Sequence, residues 1–409
     1  MRRNIALSLA LGLIFTVIGF SCAKNSDTAV TASKKLYIAT GLCYSGTGFT
    51  APTVGNVGQI LSRMDIDTRA YEVVHDYANL SEEDADTYPN GVTDGGDGSV
   101  YVAVENATST GNRRIDKIVK SAFGSKSVWQ PSTVYLAAGT LRGISRAADK
   151  GFLVGVVSAT ASIERFDATP TRKEVASNIS WGNGNAGACL TNNTRITDLV
   201  ALPKVISTDA VGKYIYAHSA VGQMDIGVIS KNGSNVAGNC LANAPGAATF
   251  VTAATTADPS FSKQLSANAT PTSIVFIPTG TGTGKLLVAY ATNAANTALA
   301  SGLNNALVMY DFTENTVAGE TSTVNNGVVL YNDTSYFYGV SAMTYDSASG
   351  YLYVASSNSL NNSPVGYNIE RFLIDLTAPS ATRTPDSDNS SFEEANSFNN
   401  CVTSMFVAE

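Results

Sequence analysis

The chain carries two histidines and five cysteines, so the supply of bases, nucleophiles and soft metal ligands is narrow. His75 and His218 have no cysteine or carboxylate motif around them, and they read as solvated or satisfied strand residues. No GxSxG stretch marks a nucleophile elbow. "TDGGDGS" at 93–99 combines carboxylates with glycines that could wrap a hard cation such as calcium, but it lacks the EF-hand spacing. Asp-Gly is also favoured hairpin chemistry, and the tight turn is the preferred reading. "TGTGTGK" at 279–285 has the look of a phosphate loop, yet Thr279 stands where the first glycine is needed and Leu286 follows the lysine. It too reads as a hairpin turn. The spacings of Cys43, Cys189, Cys240 and Cys401 fit no zinc site. "EEDAD" at 82–86 reads as a solvated loop, and "DSDNSSFEEANSFNN" at 386–400 as a surface excursion.

The elements that would position any site are read from a repeat. One phrase recurs six times, about 50 to 70 residues apart: "KLYIAT" at 35, "SVYVAV" at 99, "GFLVGV" at 151, "KYIYAH" at 213, "KLLVAY" at 285 and "YLYVAS" at 351. Large apolar or aromatic residues precede a small one: Ala39, Ala103, Gly155, Ala217, Ala289 and Ala355. Turns such as "GGDG", "ADKG", "TGTG" and "SASG" come just before, as expected of buried strands. Upstream lies a second strand, "NGVTD", "RGISR", "DLVAL", "TSIVF" or "YGVSA", whose third residue is always β-branched. Downstream lies a third, with an apolar-x-basic-apolar pattern in "LSRM", "IDKI" and two copies of "IERF". A weaker fourth strand follows in "YEVVHDY", "STVYLA" and "GVVLYN".

Four strands per unit, repeated six times, predict an all-β chain folded as a six-bladed β-propeller. A seven-bladed ring or a pair of β-sandwiches is the alternative. The first unit lacks its inner strand, and the C-terminal "NCVTSMF" fits that slot, with Val402 in the β-branched column. Closure of the ring by this last strand protects edges that would otherwise template aggregation. In that antiparallel pair Cys401 starts one strand and Cys43 sits just past the end of the other, which predicts a Cys43–Cys401 disulfide. Cys189 and Cys240 then pair by elimination. Trp129 and Trp181, near outer strands, read as packing between blades. The residues that start each inner strand should line one mouth of the central channel: Asn90, Arg142, Asp198, Thr272, Tyr338 and Asn400. Their mixed polarity makes this mouth the candidate binding site.

The repeat resembles exported six-bladed propellers of the NHL-like and lactonase-like group. That resemblance implies a fold, and for lactonase-like members a divalent metal held by carboxylate and Asn ligands. Asp198, Asn90 and Asn400 are of those types, but no Glu occupies the ring, which counts against a metal enzyme. The N-terminus, "MRRNIALSLALGLIFTVIGFSC", resembles a bacterial lipoprotein signal: a basic start, an apolar run too short to span a bilayer, and a cysteine after a small residue. The resemblance implies that residues 1–21 are a signal peptide and Cys22 the lipidated residue. Residues 22–33 are then a small, polar tether, and 34–409 the propeller. Ala23, rather than Asp, after the cysteine leans toward the outer membrane. The formal charge is −7 and grows more negative once Arg2 and Arg3 leave, with no basic stripe, so nucleic acid is not an expected partner. The expected function is a lipid-anchored envelope module that binds a protein or glycan without catalysis. A propeller enzyme of lactonase or quinoprotein-dehydrogenase type is the alternative. No cofactor is expected, a divalent cation such as calcium being the one exception the residue types would admit.

Overall fold

A computed structural model of the protein describes residues 33–41, 43–44, 49–50, 59–77, 87–106, 114–123, 126–130, 140–146, 151–157, 162–166, 172–176, 196–202, 212–218, 224–229, 239–240, 250–253, 262–264, 269–291, 303–313, 323–357, 367–385, 391–392 and 401–408. The elements among them are all β-strands. First come β1 (Lys35–Gly41), β2 (Cys43–Tyr44), β3 (Phe49–Thr50), β4 (Ile60–Asp65) and β5 (Tyr71–Asp76). Then follow β6 (Thr87–Asp94), β7 (Ser99–Asn106), β8 (Arg114–Val119) and β9 (Lys126–Gln130), and β10 (Thr140–Arg146), β11 (Phe152–Val157), β12 (Ser162–Phe166) and β13 (Arg172–Ala176). The middle of the chain holds β14 (Ile196–Ala201), β15 (Gly212–His218), β16 (Met224–Ile229), β17 (Asn239–Cys240), β18 (Phe250–Ala253) and β19 (Ser262–Gln264). Next are β20 (Thr270–Gly280), β21 (Thr283–Ala291), β22 (Ala306–Thr313) and β23 (Thr323–Tyr331). The last are β24 (Ala342–Asp346), β25 (Tyr351–Ser357), β26 (Tyr367–Asp375), β27 (Ser380–Arg383) and β28 (Cys401–Ala408).

Strands consecutive in sequence pair antiparallel into meandering sheets: β6-β7-β8-β9, β10-β11-β12-β13, β14-β15-β16-β17 and β24-β25-β26-β27. The sheet β20-β21-β22-β23 is extended at its outer edge by β18 and β19, with β18 parallel to β23. That addition covers an edge which the other sheets leave to a single outer strand. The first sheet has the order β28-β1-β4-β5, so the last strand of the chain completes it. The innermost strands touch in the order β28, β6, β10, β14, β20, β24 and back to β28. The molecule is a β-propeller: a ring of sheets, closed by the C-terminal strand.

The strand "KLYIATG" shows why a propeller suits this sequence. Every residue after Lys35 is buried, because both faces of its sheet are covered. Tyr37 and Ala39 face the second sheet and pack with Val92, Val100 and Val102. Leu36 and Ile38 point the other way, toward Tyr353, Ala355 and Ile369 of the last sheet. Alternate residues of one strand thus serve two seams. Closure is reinforced by a stacked pair, Tyr37 on Phe406 at 4.7 Å, directly opposite each other in β1 and β28. At the far end of β1, Lys34 reaches across to Asp346 of the last sheet at 2.6 Å.

Three expectations change. The fourth strand of the second sheet is Lys126–Gln130; "STVYLA" at 132 lies outside the described residues. The segment at 386–400 is not simply a surface excursion: Phe392 is 1% exposed, its ring too apolar to leave in water when a seam can enclose it. The third concerns β28. Ser404, not Cys401, stands opposite Ala39, so the closing strand sits three residues later in register than the match of "NCVTSMF" with "NGVTD" implies. Pairing along the whole of β1, from Lys35 with Ala408 to Gly41 with Cys401, fixes that register.

Candidate functional site

Five of the inner strands share one irregularity. Opposite the small residue of the repeated phrase, β6, β14, β20 and β28 each carry an extra residue, namely Asn90, Thr197, Thr272 and Thr403; in β10 the extra residue is Gly143. A bulge bends its strand and re-aims the side chain at that point. Gly91, beside one of them, lies so close to the next strand that a Cβ would be 3.1 Å from the Ile144 backbone nitrogen.

Polar side chains at and near these bulges reach along the ring, from each inner strand to its neighbour. Between β28 and β6, the Val92 N–H donates to Ser404 Oγ at 3.1 Å and Thr403 Oγ1 donates to the Pro89 carbonyl at 2.7 Å. From the second sheet to β10, Asn90 Nδ2 donates to the Leu141 carbonyl at 3.4 Å, and the Leu141 N–H donates to buried Glu105 at 2.7 Å. Between β10 and β14, the Ala201 N–H donates to Ser145 Oγ at 2.8 Å. Between β14 and β20, Ser273 Oγ and the Ile274 N–H both donate to Asp198 Oδ2, at 2.8 and 2.9 Å. Ser273 Oγ in turn accepts the Met343 N–H of β24 at 3.0 Å. Ser341, just before β24, donates to the Val402 carbonyl of β28 at 2.5 Å. Side chain–backbone hydrogen bonds therefore cross every step of the ring. They satisfy inner-strand groups that have no sheet partner on the axial side.

The six residues expected at the channel mouth do not form one column. Arg142 and Asp198 stand opposite the small residues Gly155 and Ala217. Asn90 and Thr272 are bulge residues one place earlier, 1% and 7% exposed, and Thr272 Oγ1 donates to the Ala289 carbonyl at 3.3 Å. Tyr338 is buried ahead of β24; its N–H donates to Ser356 Oγ at 2.9 Å, and burial pushes its phenol above the ordinary value. The side chain of Arg142 and the whole of Asn400 lie outside the described residues. Thr403 takes the place equivalent to Asn90. Sequence reasoning missed Thr403, Ser404, Ser273 and Glu105. The only mark of the first three was their position relative to the small residue of the neighbouring strand.

The remaining candidates resolve locally. "TDGGDGS" is the turn between β6 and β7, with Gly96 and Gly98 at φ 62° and 80°. Asp97 accepts the Ser99 N–H, the Tyr101 hydroxyl at 3.0 Å and Lys117 at 2.8 Å. Burial opposes its ionisation, but the hydrogen bonds from Lys117 and Tyr101 outweigh that and hold its pKa below the usual value. "TGTGTGK" is the turn between β20 and β21. His75 lies on outer strand β5, edge-on to Tyr77 at 4.5 Å, and His218 ends β15 in another sheet. Trp129 packs against Tyr101 of its own sheet and Phe152 and Phe166 of the next. Among the described residues, no group of three or more His, Cys, Asp or Glu is placed to hold a metal ion. Cys401 is disulfide-bonded; Gly41 stands opposite it, and β2, which starts at Cys43, touches β28. Cys22, Cys189, Trp181 and the run at 82–86 lie outside the described residues, as does the side chain of Cys240.

No protein-family model and no curated protein sequence matches the chain. Solved structures do resemble it. A protein of unknown function from Bacteroides caccae is 11% identical, with a TM-score of 0.46 over 92% of this chain and 100% of that one. The Cps50 (Swd1) β-propeller domain of Myceliophteria thermophila is 10% identical, with a TM-score of 0.44 over 86% of this chain and 87% of its own. The GH93 α-L-arabinofuranosidase of Fusarium graminearum is 9% identical, with a TM-score of 0.42 over 73% of this chain and 81% of its own. Similarity at this level carries no argument about activity.

Proposed function

We propose that the chain is a lipid-anchored envelope protein whose propeller, of six blades, is a rigid, non-catalytic platform for binding a protein or glycan of the cell envelope. In this reading residues 1–21 are removed, Cys22 is lipidated, 22–33 form the tether, and the protein resides at the outer membrane. A Cys43–Cys401 disulfide locks the closing strand, and Cys189 pairs with Cys240. The closed order of inner strands supports six blades. The observation that carries the functional reading is the girdle of seam hydrogen bonds. Asn90 and Asp198, two of the three residues whose types a lactonase-like metal site would call on, are engaged in holding strands together. A ligand that took Asp198 would have to replace three donors: Ser273, Ile274 and Leu199. The ring thus works as a frame, and recognition falls to groups around it, with Arg142 the candidate at the mouth, since Tyr338 is buried.

Crosslinking in the native envelope, followed by capture of the chain, tests this. One dominant protein or glycan adduct, lost in the variant R142A while the melting temperature holds, is the expected result. Absence of any adduct, together with a stoichiometric bound metal in the purified protein, would replace the platform with an enzyme.

A further inference from the structure

Between β27 and β28 the chain must travel from the last sheet back to the first. On the way, Phe392 enters the seam that these two sheets share, and Ser391 bonds to β26 of the last sheet. Phe392 is 1% exposed. Its ring lies between two guanidiniums, Arg69 from the first sheet at 3.3 Å and Arg371 from the last at 4.6 Å. Tyr353 of the last sheet meets it edge-on at 5.2 Å. Arg69 also donates to the Phe392 carbonyl. Ser391 donates to Glu370, which is 1% exposed and already paired with Arg383 at 2.8 Å, and it accepts from Asn368 Nδ2 at 2.9 Å. One side of this socket is therefore the β4–β5 turn and the other is β26.

Arg69 adds a second, independent mark. It is the one described non-glycine residue at positive φ, 61°. Glycine is the residue that such a turn position favours, so an arginine there works against the local backbone. Its guanidinium touches both the ring and the carbonyl of Phe392, and that contact gives the arginine a reason to be there.

We propose that Ser391–Phe392 is a latch that closes the ring. Seated in its two-arginine socket, it bridges the first and last sheets independently of strand pairing; withdrawn, it lets the molecule open at this seam and no other. The first sheet alone is completed by a strand from the far end of the chain, so the side of the ring where β28 meets β1 is where it has to be fastened. The cation–π contacts give the latch an aromatic requirement, which a merely apolar plug would lack.

The test is hydrogen exchange on the full, oxidised chain, comparing F392A and R69G with wild type. In F392A, amides of β1 and β28 should exchange at least about tenfold faster, while those of β7 and β21 change less than about twofold. A uniform rise in all sheets, or no rise, would overturn the latch. R69G guards against misfolding of the first variant, because glycine suits the turn. If Arg69 only shapes the turn, R69G leaves β1 and β28 equally or better protected, and the proposal fails. If it clamps Phe392, R69G selectively speeds exchange in the same two strands.

Discussion

Replacing Asp198 by alanine separates a structural girdle from a ligand site. Asp198 Oδ2 accepts two donors from the next inner strand, Ser273 Oγ at 2.8 Å and the Ile274 N–H at 2.9 Å, and Oδ1 accepts the Leu199 N–H at 2.8 Å. Hydrogen bonds to a charged acceptor contribute about 1.5–3 kcal/mol each, and a buried donor left without a partner costs about 1–3 kcal/mol. Ile274 is 4% exposed, so its N–H stays unpaired in D198A, whereas the Ser273 hydroxyl can turn. The loss of stability should be about 3 kcal/mol. D198N keeps an acceptor oxygen without the charge and should lose roughly 1–2 kcal/mol. Denaturant unfolding of the purified protein, followed by tyrosine and tryptophan fluorescence, reads both values. A loss below about 1 kcal/mol in D198A, or a gain, would refute the reasoning, because residues held in place for a ligand are commonly neutral or costly to stability.

Further outcomes follow from the same contacts. T403V removes donation to the Pro89 and Ala39 carbonyls and should lower stability by about 1–2 kcal/mol in the same assay. Asp346 is held below its ordinary 3.8: burial alone would raise it, but hydrogen bonds from Lys34 and Ser349 outweigh burial. A depressed carboxylate pKa stabilises the fold above the unfolded value, and that contribution is lost as pH falls through the folded value. The unfolding midpoint should therefore drop as the pH goes below about 4, and D346N should flatten that limb of the profile. Peptide mapping without reduction should recover Cys43 and Cys401 in one linked species, and recovery of Cys401 with any other cysteine would break the proposed lock.

Much of the architecture was legible because the repeated phrase combines size and burial. Ala103 and Ala355 are fully buried where inner and second strands crowd, and the large residues beside them face two seams at once. The apolar-x-basic-apolar pattern was legible too, and its cause is visible. The basic residue lies over an aromatic ring, as Arg63 does over Phe123 at 3.9 Å and Arg371 over Tyr351 at 4.8 Å. The intervening residue points into the sheet's other face, where Asp116 pairs with Arg114 at 2.7 Å and Glu370 with Arg383 at 2.8 Å. The candidate site was less legible. A bulge shifts register by one residue without any residue type that requires it, so Asn90, Arg142 and Asp198 aligned as letters but not as positions. The closing strand misled in the same way: Val402 suits a β-branched column, yet the stacking of Phe406 on Tyr37 and pairing along all of β1 set the register instead. Phe392 was illegible because its socket is made by residues more than 300 positions away on one side and about 20 on the other, as with Arg69 and Ser391's partner Glu370.

The most direct test of the closed ring is carboxypeptidase digestion of the native protein, read by intact mass. β28 runs to Ala408, hydrogen-bonded to β1 and fastened across both of its seams. Digestion should leave β28 intact, since an exopeptidase needs a free, extended end. Progressive trimming through Phe406 toward Cys401 under native conditions would show that the last strand is not the closure of the ring.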